Sequence, residues 1–137
     1  MAGSSMTFSY DNIGKIRKVI ADWVSDDTTG AVSGTTVKII GSLIKGVTDP
    51  GAAAPTASYD VVVTDEEGVN VLVNCRDDLI DRHTSNTEEV YFFVSDLATT
   101  DPGGIVHPAV TDKLTISVTN AGNSKDGQAI LYYRFEG

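Results

Sequence analysis

Apolar and polar residues alternate along much of this chain with a period of two, which is typical of half-buried β-strands. The alternation is clearest in residues 59–64 and 69–74. Every second residue of each run is a tyrosine or a valine, and the residues between them are polar except for one valine and one leucine. Residues 65–68, DEEG, separate the two runs, and the glycine suits the left-handed conformation of a hairpin turn. These segments therefore predict a β-hairpin.

Further strands are predicted wherever β-branched and aromatic residues concentrate between turn-forming residues. They cover residues 16–24, 31–47, 89–95, 114–119 and 129–135. The first of them also fits a helix from Asn12 to Val24, but its β-branched residues and Trp23 favour a strand. Gly34 and Gly41 interrupt the second, which predicts either one long bent strand or two strands.

The fold class follows from the spacing of these strands, which lie roughly 10 to 20 residues apart with no helical segments between them. The chain has 137 residues, a length typical of one domain. Val, Ile and Thr together number 41, against 6 Leu, a ratio that disfavours a helical bundle. We therefore expect an all-β, single-domain antiparallel β-sandwich or barrel of about seven to nine short strands.

The domain organisation is expected to have three parts. Residues 1–5, MAGSS, look like an expression scar. Residues 6–14 predict an N-terminal arm that orders on binding a partner, with a frayed terminus or a simple edge strand as the equally weighted alternative. Residues 15–137 form the β domain. No signal peptide and no membrane-spanning segment are expected, since no apolar run approaches the roughly 20 residues of a membrane helix.

Residues suited to catalysis or metal binding are few. A single cysteine, Cys75, excludes an internal disulfide and a multi-cysteine metal site. His83 and His107 lie in predicted loops, with no nucleophile elbow or phosphate-binding loop in the chain. Acidic pairs such as Asp77-Asp78 fall in predicted turns, where carboxylates are ordinarily solvated. We expect no enzymatic activity, no cofactor and no metal.

The net charge and the longest polar segment indicate which kinds of partner the protein can bind. The net charge of −9 argues against nucleic-acid binding. Residues 96–112 contain two prolines and a Gly-Gly pair, and are predicted to form a contact loop.

The two side chains of each adjacent aromatic pair, Phe92-Phe93 and Tyr132-Tyr133, point to opposite faces of their strand. One face then belongs to the core, while the other suits a neighbouring subunit.

The order of segments resembles small virion structural proteins of tailed bacteriophages. The resemblance covers nearly the whole chain from Gly14 onward. Its most telling stretches are TDPG (48–51), APTASYDVVVTDEEGV (54–69) and VTNAGNSKDGQAILYYR (118–134). Proteins of this sort are commonly head decoration (cement) proteins, or less clearly components of the neck or tail.

This resemblance implies an antiparallel β fold that works by assembly and without a cofactor. The protein would be made in the cytoplasm of a host bacterium and then bind the major capsid protein on the capsid surface of the virion. It would act there as a homotrimer and bridge capsid subunits after head expansion, with neither nucleic acid nor a membrane as partner. The alternatives are a tail-tube or completion protein and a carbohydrate-binding β-sandwich with exposed aromatics. The predicted assembly contacts are Phe8, Tyr10, Ile13, Pro102, Ile105 and His107.

Overall fold

Nine β-strands, all paired antiparallel, make up most of the chain that the computed structural model describes, residues 4–95 and 105–136. They are β1 (Ser5–Asp11), β2 (Ile16–Val24), β3 (Val32–Pro50), β4 (Asp60–Thr64), β5 (Glu88–Tyr91), β6 (Val94–Ser95), β7 (Ile105–Val106), β8 (Ala109–Thr119) and β9 (Asp126–Phe135). The predicted all-β antiparallel fold is confirmed. In those two ranges no helix is present that could cross a membrane.

Seven of the strands form one sheet in the order β1-β2-β9-β3-β8-β4, with β5 paired to the remaining edge of β3. β6 and β7 form a separate two-stranded ribbon. The chain thus inserts its last strand, β9, between β2 and β3. That arrangement puts residues far apart in sequence side by side.

The long strand β3 bends and belongs to two layers, as in a sandwich. Its first part, 32–42, pairs with β8, whereas 41–50 pairs with β9. Gly41 lies where the two pairings meet and has a φ of +151°. A Cβ atom there would collide with the carbonyl oxygen of Arg134, so only glycine fits. Of the two predicted alternatives, the single bent strand is the correct one.

We call β1, β2, β9, residues 41–50 of β3 and β5 the front layer, and β4, β8 and residues 32–40 of β3 the back layer. Apolar side chains from both layers form one buried core. Trp23 of the front layer packs against Tyr59, which precedes β4, with ring centroids 5.8 Å apart. The largest fully buried side chains are Trp23, Tyr59, Phe92, Ile39, Leu43, Leu72, Leu79, Leu114, Ile116 and Leu131.

The residues predicted as an arm lie at the edge of the front layer. Every residue of β1 pairs with β2, and its alternate side chains Met6, Phe8 and Tyr10 pack against the core. The N–H of Val37 donates a hydrogen bond of 3.0 Å to the Tyr10 hydroxyl, which ties β1 to the back layer. Residues 6–14 therefore comprise most of an edge strand and the turn that follows it.

The predicted hairpin is wrong in its second strand. β4 forms as expected, but it pairs with β8, and residues 69–74 form turns after a single bridge between Thr64 and Asn70. The Asn70 side chain accepts a 3.0 Å hydrogen bond from the Leu72 N–H, which bends the backbone. Because of this bend Leu72 enters the core while Val73 is 62% exposed.

Other strand limits differ less. β2 has the predicted limits, and residues 89–95 are divided between β5 and β6. β8 begins at Ala109, inside the segment 96–112 for which the sequence predicts a contact loop. β9 begins three residues before the predicted Ala129.

Candidate functional site

The bend of β3 brings four chain segments to one end of the molecule. The end of β9 pairs with the start of β2 on one side and with the bend of β3 on the other, so that Arg134 lies between Ile16 and Ser42. The start of β8 joins them because Ala109 pairs with Ser42. We call the surface at this end the corner surface. Its members are Ile13, Lys15, Ile16, Arg17, Ser42, Ile44, Val106, His107, Arg134 and Glu136.

A groove of about 430 Å³ runs across the corner surface. Its lining residues are Ser42, Ile44, Val106, His107, Arg134 and Glu136. Three aliphatic side chains of the corner surface face solvent: Val106 in the groove lining is 61% exposed, and outside the lining Ile13 is 87% and Ile16 52% exposed. Exposed aliphatic side chains gathered at one place are typical of a contact surface for another protein.

The backbone holds the β1–β2 turn against this end. The Phe135 N–H donates to the Lys15 carbonyl at 2.7 Å, and Arg17 Nε donates to the Gly14 carbonyl at 3.0 Å. The Arg17 guanidinium also stacks on the Phe135 ring, 3.7 Å from its centroid. Ile13 therefore lies in a turn that these hydrogen bonds and the stacking contact hold in place, rather than in a free terminus.

Charge at the corner surface differs from that of the whole chain, whose net charge is −9. Its cations are Lys15, Arg17 and Arg134 and its acid is Glu136, with Asp11 at the end of β1 next to it. The local balance is therefore positive. A partner with acidic side chains around an apolar patch would complement it.

The structure brings three of the six predicted contact residues to this end. Ile13 is in the β1–β2 turn, Ile105 begins β7, and His107 lines the groove. His107 Nδ1 lies 2.6 Å from the Phe92 carbonyl oxygen, which accepts a hydrogen bond and orients the ring.

Two other predicted contact residues, Phe8 and Tyr10, are not at the corner surface. Phe8 and Tyr10 are half-buried, with stacked rings 6.4 Å apart, and their side chains pack on the core. Pro102 lies outside the described residues.

Sequence reasoning missed Ile16, Ile44 and Arg134 as members of this surface. Each belongs to a strand whose partner is distant in sequence, so local patterns do not place them together. The one available signal was Gly41, which marks the bend but does not say which strands meet there.

Asp26 and Asp78, which belong to acidic pairs in the chain, stabilise turns; Asp78 Oδ1 accepts a hydrogen bond from the Ile80 N–H at 3.1 Å. Asp26 Oδ1 accepts hydrogen bonds from the N–H groups of Thr28 and Thr29, at 2.8 and 3.0 Å. Backbone hydrogen bonding, from Thr29 above all, lowers the pKa of Asp26 below its ordinary 3.8. Residues 4–95 and 105–136 contain no group of three or more metal-binding side chains.

Cys75 is partly buried and packs against the core. Burial raises the pKa of its thiol, and the charge of Asp78 adds to the effect. A raised pKa leaves little thiolate at neutral pH, so the environment suits a packing residue rather than a nucleophile.

The aromatic residues of the front layer bear on the carbohydrate-binding alternative. Tyr91 is 54% exposed and Tyr132 is half-buried on the outward side. Lys45 Nζ lies over both rings, 5.7 Å from the Tyr91 centroid and 4.5 Å from that of Tyr132. A sugar ring would have to displace this ammonium group to stack, which disfavours these tyrosines as a sugar platform.

No protein-family model matches this chain, and no curated protein matches it either.

Proposed function

We propose that this protein is a non-enzymatic structural component of a tailed-phage virion that binds the capsid lattice as a decoration protein. The observation that carries the proposal is the corner surface, where exposed aliphatic side chains and a positive charge balance lie on a rigid β scaffold. The sequence resemblance to phage virion proteins supplies the identity of the partner, the major capsid protein.

The corner surface suits many weak contacts rather than one tight contact. Burying the exposed parts of Ile13, Ile16 and Val106 contributes on the order of a few kcal/mol before the cost of association is subtracted. A lattice presents many equivalent sites, and linked copies gain affinity without any new contact. A homotrimer, as the resemblance implies, would supply that linkage, and each trimer would bridge several capsid subunits.

The test compares two double variants in binding to expanded heads that lack the protein. Ile13→Asp/Ile16→Asp places charge on the corner surface. Val69→Asp/Val73→Asp is the matched control, because these valines are similarly exposed but lie outside that surface. We expect co-sedimentation with heads to fall at least tenfold for the first variant and to match wild type for the second. Circular dichroism checks that both variants are folded.

Two outcomes would overturn the proposal. One is wild-type protein that does not bind expanded heads at any accessible concentration. The other is an equal loss of head binding in the corner variant and its control, which would show that binding does not depend on the corner surface. Binding to tails but not to heads would favour the neck or tail alternative instead.

A further inference from the structure

The outward side of the front layer carries a regular charge pattern that the corner surface does not use. On β2 the outward residues Lys18, Ile20 and Asp22 follow one another at intervals of two. On β3 the outward residues Lys45, Val47 and Asp49 repeat the same order. β2 and β3 run in the same direction, since each pairs antiparallel with β9. We call this side the outer face.

Strand register aligns these residues in three rows across the layer. The first row holds the cations with Tyr132 between them, the second holds the aliphatic residues with Ile130 between them, and the third holds the aspartates with Gln128 between them. The rows are therefore Lys18-Tyr132-Lys45, Ile20-Ile130-Val47 and Asp22-Gln128-Asp49. One edge of the outer face carries the two lysines, with Asp11 of β1 beside Lys18 at the rim, the opposite edge carries the two aspartates, and an apolar row separates them.

Contacts within the rows hold the side chains in place. Lys18 Nζ lies 5.5 Å from the Tyr132 ring centroid, and Lys45 Nζ lies 4.5 Å from the same centroid on its other flank. In the third row Gln128 Nε2 donates a 2.6 Å hydrogen bond to Asp22 Oδ1. A surface with ordered side chains loses little conformational entropy on binding.

The pattern is complementary to itself under a two-fold rotation. A two-fold axis parallel to the rows and passing over the aliphatic row exchanges the first row with the third. Lys18 of one copy then faces Asp22 of the other, and Lys45 faces Asp49. The aliphatic row meets its own copy, and Tyr132 faces Gln128. An isologous interface requires this kind of self-complementarity.

We propose that two copies of this chain associate face to face through the outer face. Opposite charges meet at four places, and the apolar rows are buried between them. Glu89, which would face its own copy at the rim, is balanced by Lys45 of its own chain, whose Nζ lies 2.5 Å away.

The size of the outer face predicts a weak, reversible association. With strands about 4.8 Å apart and rows about 6.8 Å apart, five strands and three rows cover on the order of 500 Å² per copy. The pair would bury roughly 1,000 Å², a size typical of weak, transient interfaces. We expect dissociation in the range of about 1 to 100 μM.

This contact shares no residue with the corner surface, whose Ile16 and Arg134 lie one row beyond Lys18 and Tyr132 on β2 and β9. Trimers bound to the capsid through their corner surfaces would keep their outer faces available to pair with a neighbouring trimer. The two proposals therefore fail separately, because one is read from head binding and the other from the mass of the free protein.

The experiment measures mass by sedimentation velocity between about 1 and 300 μM, a span that brackets the expected dissociation constant. Lys18→Asp/Lys45→Asp makes all four facing pairs acidic, whereas Asp22→Lys/Asp49→Lys makes them basic. Lys38→Asp/Lys113→Asp is the matched control, since it changes net charge equally on an exposed pair of the back layer. Circular dichroism verifies the fold of each variant.

We expect wild type and the control to double in mass with concentration, and each outer-face variant alone to stay at half that mass. An equimolar mixture of the two outer-face variants restores opposite charges at all four pairs and should regain the doubled mass. The proposal is overturned if wild type does not associate, if an outer-face variant associates like wild type, or if the mixture does not recover. Restoration on mixing also excludes misfolding as the cause of the loss.

Discussion

A buried hydroxyl at an irregularity between β3 and β8 gives the sharpest test of how this sheet is held together. The register of the two strands shifts between Thr35 and Lys38, and Thr36 lies within the shift with 3% of its surface exposed. Its hydroxyl donates to the Val37 carbonyl at 2.6 Å and accepts from the Leu114 N–H at 3.0 Å. The side chain thus supplies the hydrogen bond that the shifted backbone does not make.

Thr36→Val keeps the shape of the side chain and removes the hydroxyl. The fully buried Leu114 then has an N–H without this partner, which costs about 1–3 kcal/mol of folding free energy. Thr36→Ser keeps both hydrogen bonds and loses one methyl group, at a cost of about 1 kcal/mol. Thr35→Val is the surface control, because the Thr35 hydroxyl bonds that of Thr115 in an exposed position. We expect it to stay within about 0.5 kcal/mol of wild type.

The assay is equilibrium unfolding in urea followed by the fluorescence of Trp23, the one tryptophan in the chain, which is 1% exposed. A loss of about 2 kcal/mol lowers the urea midpoint by roughly 1 M for a protein of this size. The reasoning would be refuted by a Thr36→Val midpoint equal to wild type. A serine variant less stable than the valine variant would also refute it, since packing rather than hydrogen bonding would then dominate.

Three further outcomes test other parts of the structure. Gly41→Ala should lower the urea midpoint well below that of Gly68→Ala, because a Cβ at 41 meets backbone whereas the space at 68 is open; equal midpoints would contradict this. Hydrogen bonds, above all that from the Thr29 N–H, lower the pKa of Asp26 in the folded protein. The stability that the ionised Asp26 carboxylate contributes is therefore present above pH 3.8 and is lost as the pH falls through the lower pKa of the folded state. Asp26→Asn should therefore flatten the acid limb of a stability–pH curve, and an unchanged limb would count against it. Burial raises the pKa of Cys75, so its thiol should react with Ellman's reagent more slowly in the folded protein than in urea, and equal rates would rule this out.

The parts of the fold set by local alternation could be predicted from the sequence. β2 has the predicted limits because Val19, Ala21 and Trp23 are buried while Asp22 between them is exposed. The bend of β3 was foreseeable in kind, because Gly41 interrupts an otherwise continuous strand pattern.

Residues 69–74 show where alternation misleads. Three valines at intervals of two are typical of a strand, yet the Asn70 side chain bonds the backbone two residues later and turns the chain. Leu72 is then fully buried in the core and Val71 packs partly against it, whereas Val69 and Val73 are exposed. A side chain that competes for backbone hydrogen bonds outweighs strand propensity at this position.

The corner surface and the outer face differ in how much of each could be predicted from the sequence. The corner surface depends on pairings between distant strands, which local patterns do not encode. The outer face left a local signal, since cation, aliphatic residue and aspartate recur at the same spacing in residues 18–22 and 45–49. Only the insertion of β9 between β2 and β3 shows that these two runs share a face and a direction.

The central claim, that this protein decorates a phage capsid, is tested most directly by cryo-electron microscopy of the virions of the phage that encodes it. The account predicts density for a two-layered β domain repeated over the capsid surface, with its corner surface against the major capsid protein. Density for this domain in the neck or tail, or a virion without it, would contradict the account.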